Sequence, residues 1–186
     1  MIEDLHRYLR DAREAVLWKL DDLGERDIRR PLTPTGTNLL GLVKHLTTVE
    51  LLYLGIVFDR LPAEPVPWLR QGLEPNTDMW ATADESRDYI VGAYRAAWRH
   101  ADATIAALAW DDFGTVVWWP EQRVTLHRVL AHVVAETQRH LGHADIVREL
   151  IDGAVGLSRG NDFMPPRDEA SWQAYLTQLE TVADKA

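Results

Sequence analysis

The sequence contains no cysteine. The chain therefore has no disulfide framework, no cysteine-ligated metal site and no thiol nucleophile of its own. Basic residues are also scarce, because 20 Lys and Arg stand against 29 Asp and Glu and give a net charge of -9. A protein that binds a phosphate backbone concentrates positive charge, and no basic run occurs here. Nucleic acid is therefore not an expected partner.

No apolar run of membrane-spanning length is expected from the sequence, and the N-terminal segment is charged from Glu3 onward. We therefore expect a soluble, cytoplasmic protein that does not bind membranes. A length of 186 residues is sufficient for one domain with a real hydrophobic core. The sequence thus predicts a single domain over residues 1–186.

Strand-like alternation is almost absent, whereas apolar residues recur at helical spacing. We predict Gly24 as the end of the first helix, Thr37 or Asn38 as the cap of the second, and a Thr82–Glu85 capping box as the start of the third. Four long amphipathic helices and one short C-terminal helix predict an all-α helical bundle. The predicted helices cover residues 2–23, 39–58, 82–108, a stretch that includes 132–149, and 168–183.

Residues 59–83 form a connection that is longer than a helical bundle needs. The segment contains Trp68, Met79 and Trp80. It is interpreted either as a lid or interaction loop, or as a flap that packs its tryptophans over the end of the bundle. The flap is slightly favoured.

A second connection, before the fourth long helix, is rich in aromatic residues. Val116–Trp119 predicts a short strand between Gly114 and Pro120. The adjacent tryptophans at the end of this strand either border a substrate cleft or plug the end of the bundle. The pattern alone does not separate these two interpretations.

Four titratable side chains lie on one face of the fourth long helix. His132, Glu136, His140 and His143 follow one another at spacings of four, four and three residues. Apolar residues, including Ile146 and Leu150, cover much of the remaining circumference and predict a mostly buried helix. Buried titratable groups need a hydrogen-bonded network, a solvated cleft or a shared metal ion.

A metal site in a helical bundle takes ligands from facing helices. His45, in the second long helix, is the best-placed candidate partner for the polar face. A single His at such an apolar position is more often a hydrogen-bonded core residue than a ligand. His45 is therefore a candidate ligand only because the polar face of the fourth long helix needs a partner from another helix.

Two motifs carry a resemblance to a known family. The first is Pro-Thr-Gly-Thr-Asn-Leu-Leu-Gly-Leu-Val-Lys-His-Leu, which ends just after His45, and the second is Glu-Thr-Gln-Arg-His-Leu-Gly-His-Ala-Asp-Ile-Val-Arg-Glu, which begins at Glu136. Together they resemble the DinB superfamily, and most closely an actinobacterial branch of DinB-like proteins. The resemblance covers essentially the whole chain.

The resemblance implies a four-helix bundle of the DinB/YfiT type with a divalent metal between helices, zinc or nickel being the expected ions. The implied ligands are His45, Glu136 and His140. Glu136 stands where the commonest DinB pattern has a His, and in this it resembles the mycothiol-dependent maleylpyruvate isomerases. His143 is interpreted as a possible general base or fourth ligand, and His132 as structural.

The implied chemistry is thiol activation. A metal-bound thiol loses its proton near neutral pH and becomes a nucleophile. The resemblance therefore implies an S-transferase or isomerase that uses a low-molecular-weight thiol such as mycothiol together with an electrophile. A metal-dependent hydrolase and a non-catalytic metal-binding or stress-response module are the alternatives. A homodimer is expected from the resemblance alone.

Overall fold

The computed structural model describes residues 2–70, 72–166 and 168–186. Helices dominate the described chain, which confirms the predicted helical class, and two short strands form a single hairpin. The α-helices are α1 Ile2–Trp18, α2 Glu25–Arg29, α3 Leu39–Tyr53, α4 Arg87–Ala107, α5 Leu126–Asp152 and α6 Glu169–Ala183. The strands are β1 Phe113–Thr115 and β2 Arg123–Thr125, and short 3-10 helices span Ile56–Phe58, Pro67–Leu69 and Thr77–Met79.

The first predicted helix is too long. It ends at Trp18 rather than at residue 23, because the chain turns and Asp22 adopts a left-handed φ of 60°. The buried Arg148 guanidinium of α5 donates to the carbonyl oxygens of Trp18 and Asp21, which satisfies the helix end. Gly24 then precedes α2 as its N-cap instead of ending α1.

Helix α3 begins as predicted but ends early. The Asn38 side chain accepts a hydrogen bond from the Gly41 amide, which confirms one of the two proposed caps. The helix ends at Tyr53 instead of Phe58, and a 3-10 turn follows Gly55. A Cβ at Gly55 would overlap the carbonyl oxygen of Leu51, so this tight change of direction requires glycine.

The predicted starts of α4 and of the strand are also wrong. The Thr82 amide does donate to the Glu85 carboxylate, but this bond closes a turn, and Ser86 caps a helix that begins at Arg87. The strand lies at Phe113–Thr115 rather than at residues 116–119, because Gly114 pairs with Val124 of β2 in an antiparallel register. The tryptophan pair therefore lies in the turn of the hairpin.

Helices α1, α3, α4 and α5 enclose the two clusters of the hydrophobic core. Helix α3 contacts both α4 and α5, and α1 packs along α5. Residues Leu39–Phe58 are long and apolar enough to cross a membrane, which corrects the expectation that no such run exists. However, 72% of that apolar window is buried inside the protein, as in the core helix of a soluble protein.

Helix α5 is one continuous helix across the predicted polar stretch, with Thr125 as its N-cap and Gly153 at its C-terminus. It is less buried than predicted, because the side chains of Ile146 and Leu150 are 63% and 62% exposed. Helix α6 matches the predicted C-terminal helix, and none of its residues is buried. The outward face of α5 and all of α6 therefore lie outside the core.

Candidate functional site

The structure brings two predicted ligands together from different helices. His45 lies in the middle of α3 and His140 in the middle of α5, and their ring centroids are 4.7 Å apart in an edge-on arrangement. This contact exists because α3 and α5 pack directly against each other. His45 therefore faces the polar side of α5, as predicted.

Glu136 and His143 extend this pair along α5. The Glu136 Oε2 atom is 3.5 Å from Nε2 of His140, one helical turn away. The Nδ1 atom of His143 lies 3.4 Å from Nδ1 of His140, and the His143 side chain is exposed. The cluster thus runs from the interface between two helices out to solvent.

Burial keeps the His140 imidazole neutral. Burial, together with positive charge on His45, lowers the pKa of His140 to about 4, against an opposing effect of the Glu136 carboxylate. At neutral pH the ring therefore keeps a nitrogen lone pair. This is the form that binds a metal or accepts a proton.

Asp78 is the site residue that the sequence analysis missed. It lies in the 3-10 helix Thr77–Met79, and its Oδ2 atom is 2.7 Å from Nδ1 of His45. Burial raises the pKa of Asp78, but the hydrogen bond and the charge of His45 outweigh this effect and the net pKa is lowered. Helical periodicity cannot identify a carboxylate in a loop. The sequence offered only the presence of an acidic residue in a long connection as an indication of Asp78.

The loop that carries Asp78 buries one of its two tryptophans. Trp68 is buried, and the Lys44 ammonium lies 4.8 Å from the centroid of its ring. Trp80 is half-exposed, while its carbonyl oxygen accepts a hydrogen bond from Lys44. The loop therefore packs on α3 and at the same time supplies a carboxylate to the candidate site.

His132 lies apart from the His45 pair, in an aromatic contact. Its ring centroid is 4.6 Å from that of Tyr53 and 4.8 Å from that of Trp119. Burial lowers the pKa of His132 against the opposing charge of Glu136. Trp119 packs on the core while Trp118 is half-exposed, so one ring fills space and the other borders the surface. The structural interpretation of His132 agrees with these contacts.

Two other polar residues of the core serve different purposes. Glu50 is fully buried and bonded to Arg13, so it does not orient His45. His100 is half-buried and its Nε2 atom lies 2.9 Å from the Arg60 carbonyl oxygen. This contact forms because the 59–83 loop folds back over α4.

The 59–83 loop borders several concave surfaces. A cavity of about 620 Å³ between residues 62–66 and α4 includes none of the three predicted ligands in its lining. A smaller cavity of about 250 Å³ is lined by Thr48, Trp68 and Asp78 among others. The smaller cavity therefore adjoins the candidate site through the Asp78–His45 hydrogen bond.

The donor types suit a divalent metal. Two imidazoles and one carboxylate form the ligand set of many open catalytic zinc sites. In the part of the chain that the structure describes, however, no group of three or more His, Asp or Glu side chains is arranged to hold a metal ion. Ligation by all three of His45, Glu136 and His140 would require at least one of these side chains to rotate from its described position.

The candidate site lies within a region of the chain that matches a known protein family. A search of curated proteins gives no match. A family model described as mycothiol S-transferase matches residues 4–153, which contain every residue of the candidate site. That family is part of the DinB/YfiT-like superfamily, as the two sequence motifs suggested. The chain therefore belongs to the mycothiol S-transferase family.

Proposed function

We propose that this protein conjugates a low-molecular-weight thiol, through its sulfur, to an electrophile at the surface between α3 and α5. The observation that carries the proposal is the His45–His140 pair, whose ring centroids are 4.7 Å apart within the matched region of a thiol transferase family. Mycothiol, which the family description names, is the proposed thiol. The chain has no cysteine, so the reacting sulfur must come from the cosubstrate.

We propose further that His45, Glu136 and His140 hold a divalent metal, zinc or nickel. The neutral state of His140 supports this role, because a protonated imidazole cannot be a ligand. When bound, such a metal would lower the pKa of a coordinated thiol so that the thiolate predominates near neutral pH. Carboxylate ligation by Glu136 would leave the site one charge less positive than ligation by a third His.

His143 is the proposed proton acceptor. Its exposed ring lies next to His140, so a proton leaving the thiol can pass to His143 and then to water. The thiolate then donates its electron pair to the electrophilic carbon, and a carbon–sulfur bond forms. The electrophile's leaving group departs with its electron pair, or, when an enal-like substrate isomerises, the thiol itself leaves again.

Metal content and thiol conjugation test the proposal together. Untagged protein is analysed for metals and then assayed for mycothiol conjugation to a fluorogenic bimane electrophile. We expect about one metal per chain, and we expect His45→Ala and His140→Ala each to lower the conjugation rate by about 100-fold or more. His127→Ala is the matched control, since His127 lies on α5 and packs on Trp110 outside the site.

Other outcomes would contradict the proposal in distinct ways. Turnover of esters or amides without a thiol, lost in the same two variants, would indicate the hydrolase alternative. The absence of both metal and turnover, with folded variants, would indicate a non-catalytic module.

The four-helix bundle topology of α1, α3, α4 and α5, the homodimer and the cytoplasmic location stay predictions. Sedimentation velocity tests the dimer directly. A dimer that persists at nanomolar concentration would support the expectation from the DinB resemblance.

A further inference from the structure

The hydrogen bond between Asp78 and His45 fixes which nitrogen of the imidazole is protonated. Asp78 Oδ2 lies 2.7 Å from Nδ1, and the two side chains are 22% and 24% exposed, so water competes only weakly. An ionised carboxylate is an acceptor only, so Nδ1 must carry the hydrogen. A neutral His45 then has its lone pair on Nε2, on the opposite side of the ring.

The segment that carries Asp78 is held in place by bonds that do not involve His45. Asn38 Nδ2 donates to the Met79 carbonyl oxygen at 3.2 Å, and Lys44 Nζ donates to the Trp80 carbonyl oxygen at 2.9 Å. The backbone of Met79 also lies so close to Gly41 that a Cβ there would overlap it. Asp78 is therefore presented by a fixed piece of chain rather than by a loose loop.

These anchors separate two interpretations of the Asp78–His45 bond. If the bond only fastened the loop, it would add little, because Asn38 and Lys44 already fasten the same turn. If the bond orients His45, its effect appears at Nε2, for which the described residues offer no hydrogen-bond partner. A free Nε2 beside a His140 ring 4.7 Å away is an atom prepared for a ligand.

We propose that Asp78 is a positioning residue that holds His45 in the Nδ1-protonated tautomer and so presents Nε2 to the ligand shared with His140. The tautomer follows from the hydrogen bond alone. Its chemical consequence rests on the proposed function, since a lone pair on Nε2 serves either a metal or a thiol proton. Such carboxylate–histidine pairs typically raise the metal affinity of the ring by about 10-fold to 100-fold.

Nitrogen-15 NMR of the metal-free protein near pH 8 tests the tautomer directly. We expect Nδ1 of His45 to carry the proton in the wild type and in Asp78→Asn, whose amide oxygen still accepts a hydrogen bond. In Asp78→Ala the proton should redistribute toward Nε2. Glu74→Gln, an exposed carboxylate of the same loop, is the matched control and should leave the His45 spectrum unchanged.

A spectrum in which Asp78→Ala leaves the His45 tautomer unchanged would overturn the inference. Backbone amide shifts of residues 77–80 show whether the loop has stayed in place, and Asp78→Asn provides the answer if Asp78→Ala is misfolded. Failure of Asp78→Asn to retain the wild-type tautomer, in a folded loop, would also count against the assignment.

Zinc titration by calorimetry separates this inference from the proposed function. We expect zinc to bind Asp78→Ala about 10-fold to 100-fold more weakly than the wild type, with Glu74→Gln unchanged. Equal affinity of wild type and Asp78→Ala for zinc would overturn the positioning role. If no variant binds zinc but the tautomer changes as predicted, the metal proposal fails while the assignment of the His45 tautomer is supported.

Discussion

Helix α3 carries two polar side chains that face different parts of the molecule. Glu50 is 0% exposed and receives two hydrogen bonds of 2.6 Å from the Arg13 guanidinium of α1. His45, five residues earlier, is 24% exposed and has only Asp78 as a hydrogen-bond partner among the described residues. Glu50 is therefore fully paired and buried, whereas His45 is partly exposed and keeps a ring nitrogen without a partner among the described residues.

The different hydrogen-bond partners of Glu50 and His45 indicate different roles for the two side chains. On the Glu50 side, Arg13 also donates to Asp102 on α4, and His6 lies 2.8 Å from the same carboxylate. This network joins three helices, and both carboxylate oxygens of Glu50 are bonded to Arg13 within it. On the His45 side the partner is one carboxylate of a loop, so binding capacity is retained. The Glu50 network therefore stabilises the fold, and the His45 cluster is available for chemistry.

The largest expected effect follows from breaking the Glu50 network. Glu50→Ala leaves the buried Arg13 guanidinium without its bidentate partner, and we expect the free energy of unfolding to fall by about 3–5 kcal/mol. Urea denaturation measures this loss. The double variant Arg13→Met with Glu50→Leu removes both charges and should recover most of it. A Glu50→Ala loss below about 1 kcal/mol would show that the network is not structural.

The second largest effect concerns the contact between Gly41 and the backbone of Met79, next to Asp78. Gly41→Ala places a Cβ against the Met79 carbonyl, so we expect a loss of about 1–3 kcal/mol and a displaced 77–79 turn. Gly142→Ala is the control on α5, where a Cβ meets nothing within 4 Å, and it should gain about 0.5–1 kcal/mol. Thermal unfolding compares the two variants. Equal stability of both would mean that Met79 does not pack tightly on α3.

A smaller effect depends on pH and concerns Asp102. Burial raises its pKa, but hydrogen bonds and charge from Arg13 and His6 outweigh this effect and lower the pKa below its ordinary value. The stabilisation is therefore complete above the unfolded-state pKa of about 3.9 and is lost as the pH falls through the lower folded-state pKa.

Asp102→Asn should accordingly lower the free energy of unfolding by about 1 kcal/mol at pH 7. The difference from wild type should shrink as the pH falls below about 4. Urea denaturation from pH 7 to pH 2.5 gives both quantities. A difference that stays constant over the whole range would contradict an ionic role for Asp102.

The smallest expected effect is that of removing helix α6. No residue of α6 is buried, and the family match ends at residue 153. Deletion of residues 168–186 retains the contacts of Lys19 with Gly156 and of Arg159 with Asp22. We expect the free energy of unfolding to change by less than about 0.5 kcal/mol. A larger loss would support the prediction of one domain over residues 1–186.

Part of the fold and of the site could be predicted from local pattern. Asn38 was one of the two proposed caps because a short polar side chain before an apolar helix satisfies its free amides. At Arg87 the error came from the Thr82–Glu85 pattern, which closes a turn rather than opening a helix. The errors at Trp18 and Tyr53 share a different cause. Apolar periodicity continued past each true boundary, and long-range contacts such as Arg148 with the end of α1 decided where the helix stopped.

The sequence by itself determined the common face of Glu136, His140 and His143, because spacings of three and four residues place side chains together on any α-helix. It also determined that any reacting sulfur comes from outside the chain, since no cysteine is present. Only the tertiary structure decided that Asp78 bonds His45 and that Glu50 closes on Arg13. These partners are 33 and 37 residues apart, and such contacts depend on how helices and loops pack, which local periodicity does not encode.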